Sequence, residues 1–285
     1  MNILIAGISG YIGGRLLKEL SKKNKVYNYK DKIPKKVDLI INVAGPDRDY
    51  CNKYTKKCIK DRININKKIL NIIKKKKVKK YIHISTIHVY KKSILIDEKS
   101  NLDRKNSYSL SHINSENFII NNFSNCNYII FRVSNCFGNP ILKNKNCWKL
   151  VINNIVKNIF VKKKIVINSK ENFFRDYIGI SYLISIIKHY MKLKLRNEII
   201  NICSEKPISI IKFCKIIKKN YEEIFNKEIR IEQNIKKSGK IYKIKSKKVR
   251  KKIKNKIDYF FQKDLTELLL YCKKNFNLKY YKKVN

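Results

Sequence analysis

The run Asn2-Ile3-Leu4-Ile5-Ala6-Gly7-Ile8-Ser9-Gly10-Tyr11-Ile12-Gly13-Gly14-Arg15-Leu16-Leu17 decides the fold. Its apolar opening reads as a strand buried on both faces, and Tyr11 to Ser21 has helical periodicity, so the glycines fall on a strand-to-helix turn. In that context Gly7 permits the tight turn, Gly10 lets the backbone approach a pyrophosphate, and Gly13 lets the helix pack closely on the strand. The expectation is a dinucleotide cradle made by Gly7, Ser9, Gly10, Tyr11, Ile12 and Gly13.

Working outward, Lys25 to Tyr29 reads as a second strand. Its end should carry the acid that reads an adenosine ribose, but Lys30, Asp31 and Lys32 stand there. The segment therefore does not separate NAD from NADP, with NAD slightly favoured. Val37 to Val43 is another buried strand, leading into Ala44-Gly45-Pro46, and the link between these strands has room for little besides a turn. One β-α unit of the usual doubly wound sheet is expected to be missing or very short. Asp61 to Lys76 has helical apolar spacing at Ile65, Ile69, Ile72 and Ile73. Tyr81 to Ser85 is a strand ending in Ser85-Thr86-Ile87-His88-Val89-Tyr90, Asn106 opens a helix that runs to about Asn122, and Tyr128 to Val133 is a further strand. Further on, helices are expected over Cys147 to Asn158, after Phe174-Arg175-Asp176-Tyr177-Ile178 through His189, over Ser209 to Phe225 and over Leu265 to Phe276, with strands at Lys164 to Asn168 and Ile199 to Ile202. Alternation of this kind gives an α/β, Rossmann-like, mainly parallel sheet with ligands at the strand carboxyl ends. The expected division is a Rossmann domain over 1–165 and a smaller substrate-binding lobe over 166–285, interleaved with the sheet near 175–205. The most polar stretch, Asn234 to Lys256, reads as the flexible segment.

The 285 residues carry 67 Lys plus Arg against 21 Asp plus Glu, a net charge of +46. Such a balance ordinarily points to nucleic acid or an anionic membrane. Yet 58 of the cations are lysines and nine are arginines, and Ala6 and Ala44 are the two alanines. Lys, Asn, Ile and Tyr use A/T-rich codons, whereas Ala, Gly, Pro and Arg need G or C, so an A/T-rich genome accounts for most of the charge. The lysines are spread along the chain, and the aromatics are not interleaved with a basic cluster as a stacking platform requires. No apolar run reaches the roughly 18 residues of a membrane span, and Ile3 to Ile8 is too short for a signal segment, so the expectation is a cytoplasmic protein. The eight cysteines form no C-x-x-C and lie near no His at zinc-ligand spacing. They read as thiols, with neither a metal site nor a disulfide framework.

With these residues in hand, the chain resembles the extended short-chain dehydrogenase/reductase family, the NAD-dependent epimerases and dehydratases of nucleotide-sugars. The resemblance rests on an ordered set: Gly7, Gly10 and Gly13; Ser85-Thr86-x-x-Val89-Tyr90; Tyr108 with Glu116; Phe131-Arg132-Val133-Ser134-Asn135-Cys136-Phe137-Gly138; Arg175-Asp176-Tyr177-Ile178; and Asn201-Ile202 before Ser204. It implies Tyr108 as the acid/base, Thr86 as a holder of the substrate hydroxyl, and cofactor contacts from Ala44, Ser85, Tyr108 and the residue four after the Tyr. It implies further that Asn135 contacts the nucleotide-sugar and Arg175 its diphosphate, a task suited to a planar fork. A homodimer through the helices at Asp61 to Lys76 and Tyr108 to Asn122 is implied too. The stretch from Ser134 to Trp148 is similar to a branch found among polysaccharide biosynthesis genes.

One position departs from the family pattern. A Lys is expected four residues after the Tyr, and His112 stands there. Tyr108 and His112 at i and i+4 share a helix face. A phenol of reference pKa about 10 is ionised about one part in a thousand at pH 7, and a shift of three units takes about 4 kcal/mol of electrostatic help. Lys supplies a permanent charge; an unperturbed His supplies one about a quarter of the time at pH 7. The favoured reading is a working variant, because the remaining motif positions survive in a sequence otherwise dominated by A/T-rich codons, and an epimerase or reductase, because Ile87-His88 stand where a dehydratase of this family carries Asp-Glu. The alternative is a catalytically impaired Rossmann protein that binds RNA or scaffolds a complex.

Overall fold

The computed structural model describes residues 1–142, 146–249 and 254–276. In chain order the main elements are β1 (Asn2–Ala6), α1 (Tyr11–Leu20), β2 (Lys25–Asn28), β3 (Leu39–Asn42), α2 (Arg48–Lys53), α3 (Thr55–Lys76), β4 (Lys80–Thr86), α4 (Ser107–Asn122) and β5 (Asn127–Val133). There follow β6 (Asn135–Phe137), α5 (Val151–Lys162), β7 (Lys164–Ile167), β8 (Tyr177–Gly179), α6 (Ile180–Met191), β9 (Glu198–Ile202), α7 (Ile210–Phe225), β10 (Arg230–Gln233) and α8 (Ile257–Phe276).

The contacts divide the chain into two compact units. The first is Met1–Ser134, Ile184–Ile202 and Lys245–Val249; the second is Asn135–Leu183, Cys203–Ile244 and the described part of Arg250–Asn285. The first unit is built on a six-stranded, wholly parallel sheet in the order β9-β5-β4-β3-β1-β2. Ile3, Leu4 and Ile5 of β1 and Leu39, Ile40 and Ile41 of β3 are fully buried, as strands covered on both faces must be. No helix lies between β2 and β3, as the short link predicts. The chain steps from β1 out to β2 and returns to the other side of β1 as β3. That reversal puts a topological switch point between β1 and β3, where a doubly wound sheet opens its ligand crevice. Ile69 and Ile73 of α3 and Ile119 of α4 close the core over Leu4, Ile40, Tyr81 and Ile130.

The second unit has its own core, in which α5, α7 and α8 pack Val156, Phe160, Phe213, Ile217, Leu265 and Leu269 against β7 and Phe137. Here β6 pairs in parallel with β8, and β7 with β10. Asp264 of α8 accepts from Ser181 N (2.8 Å) and Ser181 Oγ (2.6 Å) at the start of α6.

Three expectations are corrected. The helix expected from Asp61 begins at Thr55 and is preceded by α2, whose N-cap Asp47 accepts from Tyr50 N (2.9 Å). Lys56, Lys57 and Lys60 face water in that first stretch and mask its periodicity. Second, Cys51 and Cys58 form a disulfide with Cα atoms 5.0 Å apart, where the sequence reads only thiols. The break between α2 and α3 at Tyr54 folds the two positions together, which linear spacing does not reveal. Third, α8 starts at Ile257 rather than Leu265; in its first turns Asp258, Tyr259, Gln262 and Lys263 are exposed and a charged residue, Asp264, is buried along with Ile257, which obscures the helical apolar spacing. Within the expected flexible stretch 234–256, residues 250–253 lie outside the described residues, as do 143–145 of the Ser134 to Trp148 stretch.

Candidate functional site

The glycine turn sits at the switch point. Gly7 has φ +87°, a left-handed conformation, and a Cβ there would stand 2.8 Å from the Cα of Ala44 on the loop after β3. A Cβ on Gly13 would come 1.9 Å from the Gly7 carbonyl oxygen, so only glycine lets α1 approach β1 this closely. Gly10 is the N-cap of α1 and lends its first amides no side-chain oxygen. Ser9 is exposed, and Tyr11 and Ile12 open α1. Ala44 is half-buried, with its amide donating to Asn42 Oδ1 (3.0 Å).

Asn106 caps α4, accepting from Tyr108 N (3.0 Å) and Ser109 N (3.1 Å), which fixes Tyr108 in the first helical turn. One turn on, the His112 ring packs edge-on at 4.7 Å from the Tyr108 ring, and His88 approaches it from the strand end at 6.4 Å. Tyr108 is half-buried and His112 is buried. Ser85 Oγ donates its one hydrogen to Glu116 Oε1 (2.5 Å), so toward His112 Nδ1 at 3.4 Å it can only accept. The hydrogen-bond network thereby assigns the proton to Nδ1 and a lone pair to Nε2. That Nε2 is buried and has no partner. Burial, reinforced by Arg62, His83 and His88, holds the imidazole well below the usual histidine pKa, so His112 is neutral at pH 7. It does not carry the charge of the expected Lys. Thr86, also buried, accepts from His88 N (3.2 Å) and ends β4 in a short turn over Ile87–Val89.

Beneath these residues lies a chain of buried polar groups. Arg132 binds Glu116 through Nη2 (2.6 Å) and Nε (3.2 Å) and donates to Tyr90 Oη (3.0 Å), which donates to Asn201 Oδ1 (2.7 Å). Burial opposes the Arg132 charge, but the Glu116 carboxylate more than offsets it and raises the guanidinium pKa. A second network joins Asn42, Asn66, Tyr81, His83 and Ser115 between β3, β4, α3 and α4. Burial is the first cause, and Arg62 the second, that push His83 down to about 3.

The sequence reading passed over Arg48 and Arg62, whose guanidinium carbons stand 5.5 and 5.9 Å from the Tyr108 ring centroid. A signal for the second existed. Among the described residues Arg15, Arg62 and Arg132 are buried and no lysine is, so an arginine in this lysine-rich chain marks a place where a planar fork is needed.

Asn135 and Arg175 belong to the second unit. Asn135 Nδ2 donates to the Asp176 carbonyl (2.9 Å), and the Arg175 guanidinium stacks 4.5 Å over the Phe173 ring. Among the described residues Arg175 has no carboxylate partner; Asp176 instead accepts from Ser204 N (2.8 Å) and Ser204 Oγ (2.7 Å). There is likewise no group of three or more His, Cys, Asp or Glu that could hold a metal among the described residues, nor a helix long and apolar enough to cross a membrane.

The parallel sheet, its switch-point glycine turn and the paired rings of α4 define a Rossmann-like doubly wound α/β protein. The model of the NAD dependent epimerase/dehydratase family matches residues 27–203, and the chain belongs to that family, of the extended short-chain dehydrogenase/reductase type. No curated protein matches it by sequence. Among solved structures it is similar to RMD from Pseudomonas aeruginosa complexed with NADPH, at TM-score 0.75 and 14% identity over 96% of this chain and 99% of that one. It is also similar to the UDP-N-acetylglucosamine 4-epimerase from Methanobrevibacter ruminantium M1 in complex with UDP-N-acetylmuramic acid, at TM-score 0.74 and 16% identity over 95% and 97% of the two chains. UDP-glucuronic acid 4-epimerase from Bacillus cereus in complex with NAD aligns at TM-score 0.71 and 19% identity over 96% and 97%.

Proposed function

We propose that the protein is an NAD(P)-dependent nucleotide-sugar epimerase or reductase with Tyr108 as its acid/base. The observation that carries this reading is the pairing of the Tyr108 and His112 rings at 4.7 Å on α4, with His112 Nε2 buried and unpartnered. An orphaned acceptor at that depth fits a ribose hydroxyl, and Gly7 and Gly13, where any Cβ would collide with the backbone of Ala44 or Gly7, hold the start of α1 tightly against the turn after β1. The uncapped N-terminus of α1 suits a pyrophosphate.

When bound, the dinucleotide supplies a hydride acceptor and donor. Tyr108 then removes the proton of a sugar hydroxyl and returns it. Thr86 holds that hydroxyl, and His112 accepts from the ribose where the expected Lys would donate. Asn135 and Arg175 contact the nucleotide-sugar. Ile87, buried in the turn after β4, and His88 offer no Asp-Glu pair for dehydration. We place the reaction in surface polysaccharide biosynthesis, on the likeness of the Ser134 to Trp148 stretch, and the assembly as a homodimer through α3 and α4, which sedimentation would test.

Calorimetric titration with NAD+ and NADP+ at about 150 mM salt tests the cofactor site. One of them should bind tightly, and a nucleotide-sugar should then turn over. Tyr108→Phe should abolish turnover and leave cofactor affinity nearly unchanged. Substantial residual turnover removes Tyr108 from its role; no binding of either dinucleotide turns the reading to the impaired alternative.

A further inference from the structure

Arg62 raises a question that the family pattern does not answer. Its side chain is 4% exposed, yet its hydrogen bonds go to neutral groups: Nε donates to Ser111 Oγ (3.2 Å) and Nη2 to the Pro46 carbonyl (2.8 Å). Arg132, equally buried, is matched by Glu116; Arg62 has no carboxylate partner among the described residues. A buried charge left without a counter-ion is costly. The fold nevertheless makes room for it. A Cβ on Gly45 would lie 2.2 Å from Arg62 Nη1, so the glycine after Ala44 admits the guanidinium to this spot. The Tyr108 ring, with its centroid 5.9 Å from Arg62 Cζ, is a group that could gain from a cation there. Ser111 ties the two together, since its Oγ accepts from Arg62 and donates to the Tyr108 carbonyl (2.8 Å).

We propose that Arg62 supplies the permanent positive charge that the tyrosine's phenolate needs and that His112 cannot provide, so that the usual work of one lysine is divided between two residues of different helices. Arg62 is a positioning residue: it acts on Tyr108 electrostatically, while His112 keeps the hydrogen-bonding part. Arg48, the other cation on that ring at 5.5 Å, is exposed, and water screens it. The proposal rests on the acid/base role given to Tyr108 above, but its test needs neither cofactor nor substrate.

Protein carrying [13Cζ]tyrosine is titrated by NMR, and the resonance missing from Tyr108→Phe is followed. In Arg62→Met the ionisation midpoint of that resonance should rise above that of the native chain. Arg62→Lys should restore it to within about half a unit, and Arg48→Gln should move it much less. Because an unmatched buried cation is removed, Arg62→Met should also unfold at the same or a higher urea concentration than the native chain. An unmoved midpoint in Arg62→Met overturns the proposal, as does a rise in Arg62→Lys as large as in the Met variant. Loss of the fold in Arg62→Met overturns it equally, since Arg62 would then be a structural anchor. A failure of dinucleotide binding or turnover with the midpoint shifts intact would refute the epimerase reading and leave only the electrostatic coupling of Arg62 to Tyr108 established.

Discussion

Single side chains decide both the chemistry and part of the stability. His83 stays neutral in the fold down to about pH 3, chiefly through burial, whereas an unfolded histidine takes up its proton near pH 6.5. Between those values the unfolded chain binds more protons than the native one. Stability therefore falls as pH drops below about 6.5, by up to about 1.4 kcal/mol per unit for each such histidine, and His112 adds to the effect with the same sign. Urea unfolding at pH 7.5, 6 and 5 should show this slope, and His83→Asn should flatten it. Gly13→Ala makes a sharper test, because its methyl meets backbone rather than a movable side chain. It should cost about 1–3 kcal/mol and abolish dinucleotide binding. At this scale the glycine turn and the Tyr108–His112 pair were legible, since their spacings are local. The Arg62 charge was not, because its meaning comes from a missing counter-ion that only the packing of α3 on α4 exposes.

Among the elements, α3 and α4 are held by buried polar groups as much as by their isoleucines. The Glu116–Arg132 pair links α4 to β5 and carries Ser85 and Tyr90 with it. Arg132→Met leaves the Glu116 carboxylate buried and unmatched, and should cost about 3–5 kcal/mol in urea unfolding, whereas the double variant with Glu116→Gln should recover most of that loss. Helix ends tell a compositional story. With eight glycines in the chain, Lys77 and Lys163 take the left-handed position that ends α3 and α5, at φ +49° and +56°. Replacing either by glycine should stabilise the protein by about 0.5–1 kcal/mol. The disulfide between α2 and α3 predicts that the denatured, unreduced chain titrates six thiols, and eight after reduction. Apolar strands such as β1, β3 and β5 were readable because burial on both faces writes a continuous hydrophobic run. The entry into α3 was not, since lysines occupy its exposed positions and its two cysteines pair across a bend.

For the molecule as a whole, the charge of +46 looks like an argument for nucleic acid, and the distribution of residues argues against it. No lysine is buried among the described residues, so the excess coats the surface, while the buried cations are arginines with structural or electrostatic tasks. Exposed aromatics among those residues are Tyr54 in the first unit and Tyr259 in the second, too few for a base-stacking platform. A surface of this kind still attracts any polyanion through counter-ion release, and that attraction carries a signature of its own. Binding of a single-stranded RNA of about 20 nucleotides should weaken by 100-fold or more between about 50 and 200 mM salt and should not discriminate between sequences. The dinucleotide binding proposed for the glycine turn would rest on backbone amides and a few fixed groups, and should change far less over the same range. The two titrations, run side by side on one preparation, separate a composition effect from a function. RNA binding that persists at 200 mM salt with sequence preference would mean that the basic surface is a recognition site after all.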